Sequence, residues 1–262
     1  MASAGHSPKW RIAGVVALAA AIAGAIAAVA IAGRGNAVVI GRTPSAPKPA
    51  CPTPNVENPP PEKSCQVMGR VTGFQVSADG RTNPYRVRRS GRIVAWSVDL
   101  SRPNKEERRF FAEELSNSGP PKAGLAILKQ KGDGAYKLLK KTPTVELAQF
   151  YGEKPVFTLA DPLRVRDGVV VALTTPTWIP NLGIDGASRA DRWRASRDPG
   201  ECGDEVNHTP SENEADLLKR SRPQLKLGGE RAYACDYRGA RLLYWAFLAP
   251  GGSGSGHGGG QD

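Results

Sequence analysis

Few side chains in this sequence have the types and spacing that catalysis requires. A Ser–His–Asp site needs a histidine as its base, and His208 is the one candidate between residues 65 and 250. It lies beside Thr209 and Pro210 in a polar stretch typical of a solvated loop. The sequence contains no G-x-S-x-G elbow, phosphate-binding loop or H-E-x-x-H pair. We therefore predict a non-enzymatic protein without a cofactor or metal.

Carboxylates leave one enzymatic alternative open. A glycosidase needs two carboxylates that face one cleft, and Asp99 and Asp161 both fall at the ends of predicted strands. Turn or edge hydrogen bonds are the simpler role for aspartates at such positions. An envelope-glycan hydrolase with a carboxylate site is thus the alternative to a binding protein.

Tryptophan and arginine supply the candidate binding residues. Exposed tryptophans stack on sugar faces and anchor protein interfaces. Trp178 follows a predicted strand, and Trp193 lies between Arg192 and Arg194. We take these four residues as the candidate ligand-binding set. The alternative is packing, with Trp178 in the core and Trp193 holding its loop against the domain under an arginine.

A second basic cluster contains Arg81, Arg86, Arg88, Arg89 and Arg92, with no acidic residue among them. Such a cluster attracts anionic wall polymers or phospholipid head groups. The alternation of Arg86 and Arg88 places both charges on one face of a strand. Charge on that face is also how an exposed sheet edge is protected from aggregation, and we favour this simpler interpretation.

Four cysteines, Cys51, Cys65, Cys202 and Cys235, predict two disulfides in an exported chain. Three pairings are possible, and we favour Cys51–Cys65 with Cys202–Cys235 because both loops are then local. A zinc site built from all four would need close C-x₂₋₄-C spacing, which is absent.

The N-terminal region predicts the compartment. Residues 12–32 are uncharged and apolar, and a helix of this length spans about 31 Å, close to the hydrocarbon core of a bilayer. Lys9 and Arg11 precede the run, which favours a cytoplasmic segment 1–11 and a signal anchor that places the remainder outside the cytoplasm. A cleaved signal peptide is the alternative, because small residues are frequent near Ala30.

Composition divides the remaining chain into a linker, a domain and a tail. Residues 33–64 form a proline-rich linker, with eight prolines between Thr43 and Ser64, and such segments act as semi-rigid spacers. Residues 65–250 form the extracytoplasmic domain, and the glycine- and serine-rich residues 251–262 form a flexible tail. Residues 1–50 hold five of the 36 basic residues and no acid, so residues 51–262 carry 31 basic and 25 acidic residues, or +6. This mild charge and an exported location argue against nucleic acid as a partner.

The domain itself has the pattern of an all-β fold. Short apolar runs rich in β-branched residues alternate with turn signals, whereas no long amphipathic helix is present. Asp-Gly pairs at 79–80, 133–134, 167–168 and 185–186 predict turns, with a hairpin over 163–173 and another about Arg238-Gly239. Residues 105–115 predict one or two helical turns. This pattern predicts a β-sandwich of jelly-roll-like type. The predicted strands are 66–76, 92–100, 123–129, 136–139, 145–151, 156–159, 163–165, 169–174, 231–237 and 240–248.

Three segments together resemble known proteins: GRIVAWSVDL at 91–100, VVALTTPTW at 170–178 and GARLLYWAF at 239–247. They resemble uncharacterised membrane-anchored extracytoplasmic proteins of high-GC Gram-positive (actinobacterial) bacteria. The resemblance implies a location and a β-rich domain, and it implies no activity.

These features together predict a single-pass membrane protein with an extracytoplasmic β-sandwich that binds a wall polysaccharide or a surface protein. The membrane is contacted through the N-terminal helix. A structural subunit of a membrane complex is a further alternative, in which the Ala- and Gly-rich helix makes the contacts.

Overall fold

The computed structural model describes residues 37–51, 65–115, 118–132, 134–202 and 221–251. The predicted segments 1–11 and 12–32, the greater part of the proline-rich linker, His208 and the predicted tail beyond Gly251 lie outside these residues. Within the described ranges, no helix is long and apolar enough to cross a membrane.

Antiparallel strands are the main secondary structure of the described residues and far outnumber the helical turns, which confirms the all-β class. The smaller of two main sheets has four strands in the order β1 (Val38–Ile40), β17 (Tyr244–Pro250), β5 (Gly91–Val98) and β9 (Val156–Val165). The larger sheet follows the order β14 (Glu230–Ala232), β7 (Ala135–Lys141), β6 (Lys122–Gln130), β10 (Val170–Thr174), β3 (Thr72–Ala78), β13 (Arg192–Ala195) and β15 (Cys235–Arg238).

Short strands extend this framework. β4 (Arg81–Thr82) pairs with β3, and β8 (Val145–Glu146) pairs with β6. Two separate ribbons join β2 (Met68–Gly69) to β11 (Trp178–Ile179) and β12 (Leu182–Gly183) to β16 (Arg241–Leu242).

One hydrophobic core is shared by the two main sheets, as expected for a sandwich-like arrangement. Trp96 and Ile93 enter it from β5, while Val171 and Leu128 enter it from the larger sheet. The Tyr244 hydroxyl of the smaller sheet donates to the Val171 carbonyl of the larger sheet at 2.9 Å. This bond satisfies a buried phenol, which would otherwise oppose the packing of the two sheets.

The helical prediction for residues 105–115 is confirmed. Helix α1 (Lys105–Arg109) begins at a capping box, in which the Asn104 side chain accepts from the Glu107 amide and the Glu107 carboxylate accepts from the Asn104 amide. A π-helical segment, Phe110–Leu115, continues it. Phe111 is buried against Trp178, whereas Phe110 remains exposed.

Two hairpin predictions hold, and two are wrong. The turn at Asp79-Gly80 joins the paired strands β3 and β4, and β6 pairs with β7, as the predicted turn at 133–134 requires. The predicted hairpin over 163–173 does not form, because β9 pairs with β5 while β10 pairs with β6 and β3. Similarly, Arg238-Gly239 does not fold β15 back on the following strand. β15 instead pairs with β13, and β17 pairs with β1 and β5.

The folded domain begins earlier than the predicted boundary at residue 65. β1 adds to the edge of the smaller sheet through a register that places Val38 opposite Leu248 and Ile40 opposite Ala246. Ala50 then donates its amide to the Leu182 carbonyl at 2.6 Å, and Gln66 donates to the Ala50 carbonyl. Residues 37–51 are therefore part of the domain, which corrects the prediction that 33–64 is a continuous linker.

Candidate anion-binding groove

An open groove runs between β1 and the segment that follows β3. Its volume is about 500 Å³. One side is apolar and is formed by β1 and Leu248. The other side is basic, and we name the whole feature the arginine groove after its five arginines, Arg42, Arg81, Arg86, Arg88 and Arg89.

Local sequence explains why the arginines face outward. Tyr85 and Val87 are buried, whereas Arg86 and Arg88 between and after them are exposed, as the period of two in extended backbone requires. Val87 donates its amide to the Val169 carbonyl, and the Tyr85 carbonyl accepts from Val171. The segment thus lies along β10, and its alternation fixes which side chains reach the groove. The predicted charged face is confirmed.

Local sequence also explains the turn before this segment. Asp79 and Gly80 both have positive φ, 49° and 71°, which is the conformation of a tight hairpin turn that suits Asp-Gly. Asn83 also has a positive φ of 51°, and its amide donates to the Val76 carbonyl at 2.7 Å. These turns bring Arg81 to the same side as Arg86.

The apolar side depends on a close backbone approach at Gly41. Gly41 has φ +87° and packs directly against the ring of Tyr85, leaving no room for a β-carbon. Tyr85 in turn stacks on Tyr244 with ring centroids 4.2 Å apart. β1 is thereby held in place, with Val38 exposed to 42% of its surface at the rim of the groove.

A polar clamp next to the groove fastens the segment after β1. Asp79 accepts from the amide and the hydroxyl of Ser45 at 3.0 and 2.9 Å, and its Oδ1 pairs with Arg241 Nη1 at 2.9 Å. Arg241, which is buried, also donates to the Thr43 hydroxyl. Burial raises the pKa of Asp79, but the Ser45 hydrogen bonds and the Arg241 charge together outweigh it and lower the pKa below its usual range.

Among the residues that the structure describes, no carboxylate offsets the positive charge of the groove, whose described lining contains five arginines and no acidic residue. In the part of the chain that the structure describes, none of the five guanidinium groups lies within ion-pair distance of a carboxylate. Arginines that are not neutralised and share one concave surface create a positive potential that attracts anions.

Trp178 does not present a binding surface, which corrects its assignment to the ligand-binding set. It is 1% exposed and packs against Phe111 at a centroid distance of 5.1 Å. Its indole N–H donates to the Gly119 carbonyl at 2.9 Å, so the polar edge of the ring is also satisfied. Trp178 is therefore a packing residue, as the alternative interpretation predicted.

Trp193 is likewise part of the fold. It lies in β13, an interior strand of the larger sheet, is 7% exposed and stacks on Tyr237 at 4.6 Å. The loop that the packing alternative assumed around Trp193 is thus a strand. Arg192 and Arg194 are partly exposed, but both approach Asp236 Oδ2, at 3.6 and 3.4 Å. The four predicted ligand-binding residues therefore do not form one open site.

The two aspartates of the hydrolase alternative are also separated. Asp99 lies two residues after Ser97 of β5, and Ser97 pairs with Val156 of β9. Asp161 lies in β9 between Thr158 and Leu163, which pair with Ala95 and Ile93. At about 3.3 Å per residue, this register places them about 16 Å apart, beyond the spacing of glycosidase carboxylates. Burial raises the pKa of Asp99, and the charge of Lys154 opposes that rise.

The cysteines are paired as the sequence favours, Cys51 with Cys65 and Cys202 with Cys235. In the first bridge, the Cα atoms of Cys51 and Cys65 are 3.9 Å apart. Among the described residues, Cys51, Cys65 and Glu107 are the one group of three side chains close enough to hold a metal ion. Because the two sulfurs are bonded to each other, they are not available as metal ligands.

Four of the groove arginines belong to the basic cluster that the sequence predicts, whereas Arg42 and the apolar side do not. Arg42 and β1 were assigned to a linker, while Arg92 lies in β5 opposite Arg164, outside the groove lining. The signal that marks β1 is the β-branched run Val38-Val39-Ile40 before the prolines.

Comparison of the chain with protein-family models, with curated proteins and with solved structures gives no match.

Proposed function

We propose that this protein is a non-enzymatic, membrane-anchored envelope protein whose arginine groove binds an anionic ligand outside the cytoplasm. In this proposal, residues 12–32 are the anchor, and the sandwich is of jelly-roll-like type. The observation that carries the proposal is the set of five arginines on one concave surface, without a carboxylate among the lining residues.

Guanidinium chemistry favours phosphate or carboxylate groups as the bound species. The planar guanidinium presents two parallel N–H donors, which match two oxygens of a phosphate or a carboxylate, and such charge-assisted bonds are stronger than neutral ones. A groove of this size accepts several such groups, or a segment of an anionic polymer. The ligand is then an acidic wall polymer, an acidic surface protein or another anionic envelope component.

A neutral sugar has less support as the ligand. Stacking on a sugar requires an open aromatic face, and Trp178 and Trp193 are both buried. The two disulfides support an oxidising compartment outside the cytoplasm. The predicted anchor supports the same location, since it would leave the groove on the exported side.

Binding to a soluble polyanion tests the proposal. The full chain in a neutral detergent is titrated with polyphosphate and, in parallel, with dextran, an uncharged polymer of glucose. We expect saturable binding of polyphosphate that weakens steeply as the salt concentration rises, and no binding of dextran. Absence of polyphosphate binding at low salt, or equal binding of dextran, would overturn the proposed function.

A further inference from the structure

The position of the arginine groove along the chain identifies a specific anionic ligand. Resting on the proposed function, we infer that the groove docks on the anionic phospholipid head groups of the same membrane that holds residues 12–32. Three features of the chain carry this inference: the short connection to the apolar run, the rigid attachment of β1 and the pairing of basic with apolar surface.

The connection between the apolar run and the groove is short. Five residues, 33–37, lie between Ala32, the last residue of the run, and Val38, which begins β1 and lines the groove, so six Cα–Cα steps join them. A fully extended chain of that length spans at most about 20 Å. The polar head groups occupy part of this distance, because they extend the bilayer beyond its hydrocarbon core. The groove therefore lies next to the membrane surface whenever residues 12–32 span the bilayer.

The fold prevents β1 from acting as a free tether. β1 is bonded along its length to β17, and the clamp of Asp79 and Arg241 holds Thr43 and Ser45 immediately after it. The described residues 37–51 are therefore not the spacer that the sequence predicts, and they precede the remaining prolines of the predicted linker in the chain.

The surface chemistry of the groove matches a phospholipid surface. The arginine side offers bidentate donors for phosphate groups. The opposite side offers Val38 and Val39, of which Val38 is 42% exposed. Apolar side chains beside basic ones are the combination that binds the boundary between head groups and acyl chains. A wall polymer would use the charge alone and leave the exposed Val38 without a role.

Hydrogen exchange in lipid nanodiscs tests this inference on the full chain. The protein is reconstituted into discs of phosphatidylcholine alone and into discs that also contain phosphatidylglycerol. Both faces of a disc are open to solvent, so orientation does not affect the comparison. We expect the amides of residues 38–42 and 81–89 to exchange about fivefold or more slowly in the anionic discs.

Matched variants separate a specific site from general charge. The groove variant carries Arg86→Gln, Arg88→Gln and Arg89→Gln. The control carries Lys129→Gln, Lys140→Gln and Lys141→Gln, which removes the same charge from exposed positions on β6, on β7 and at the end of β7. We expect the groove variant to lose the slower amide exchange that anionic discs produce and the control variant to retain it.

Three results would overturn the inference. They are equal exchange in the two kinds of disc, equal loss of protection in both variants, and failure of the full chain to enter discs. Polyphosphate binding in neutral detergent distinguishes failure of the phospholipid assignment from failure of the proposed function. If it persists while the lipid effect is absent, the proposed function stands and the phospholipid assignment fails. If it is also absent, both fail.

Discussion

Asp79 and Arg241 form a partly buried ion pair, with Oδ1 and Nη1 2.9 Å apart, that joins three distant parts of the chain. Asp79 lies in the β3–β4 turn, and Arg241 begins β16. Through Ser45 and Thr43, both residues also hold the segment that follows β1. The pair thus links the attachment of the groove's apolar side to the body of the domain.

Breaking this pair should destabilise the domain. Arg241→Gln leaves the Asp79 carboxylate without its cation, and a partly buried charge that loses its partner costs about 2 kcal/mol or more. We expect the free energy of unfolding to fall by that amount in denaturant titrations of the full chain in neutral detergent. Lys131→Gln, which removes the exposed Lys131–Glu230 pair at 3.7 Å, is the control and should change it by less than about 0.5 kcal/mol. Equal effects of the two variants would contradict a stabilising role of the Asp79–Arg241 pair.

The clamp also predicts how stability depends on pH. The pKa of Asp79 is lower in the folded protein than in the unfolded chain, so its contribution is complete above the unfolded value and is lost as pH falls through the folded value. We expect melting temperature to fall below about pH 4, and Asp79→Asn to show a shallower fall. Asp185→Asn, at an exposed turn, is the control. A slope for Asp79→Asn equal to that of the parent would show that Asp79 does not contribute.

Gly41→Ala should displace β1. The added β-carbon would lie 2.7 Å from the Tyr85 hydroxyl oxygen and closer still to the ring, which is buried and stacked on Tyr244. Overpacking and the positive φ together should cost about 3 kcal/mol of unfolding free energy. Gly80→Ala shares the positive φ, with open space around it, and should cost about 1 kcal/mol. Calorimetry of both variants measures the difference, and similar values would argue against the close approach.

Trp193→Ala should reduce stability and leave anion binding unchanged. Removing an indole that is 7% exposed and stacked on Tyr237 leaves a cavity, for which about 3 kcal/mol is the expected loss. Trp193→Phe should lose less unfolding free energy than Trp193→Ala, because it keeps an aromatic ring. Denaturation and polyphosphate titration are measured on the same samples. A variant with parent-like stability and weakened polyphosphate binding would restore Trp193 as a contact residue.

Patterns within one element allowed correct predictions. The alternation of Tyr85, Arg86, Val87 and Arg88 gave the charged face, and the helix-forming residues between 105 and 115 gave the helix. The Asp79-Gly80 pair gave a hairpin because the two residues that need positive φ are adjacent in the chain. In each case, the deciding interaction acts between near neighbours.

Patterns that depend on distant partners were misleading. The Asp167-Gly168 turn looks the same whether its flanking strands pair or separate, and here β9 and β10 join different sheets. The polar neighbours of Trp193 suggested a loop, but pairing with β3 and β15 makes a buried strand. β1 was hidden because three β-branched residues before a proline-rich segment indicate a strand only when β17 is available as a partner.

The most direct test of the central claim compares polyphosphate affinity between two matched triple variants in neutral detergent. One carries Arg86→Gln, Arg88→Gln and Arg89→Gln, and the other carries Lys129→Gln, Lys140→Gln and Lys141→Gln. We predict that the arginine variant binds about tenfold or more weakly, equivalent to about 1.4 kcal/mol or more, while the lysine variant binds as the parent does. Equal affinities for the two variants would contradict the assignment of anion binding to the arginine groove.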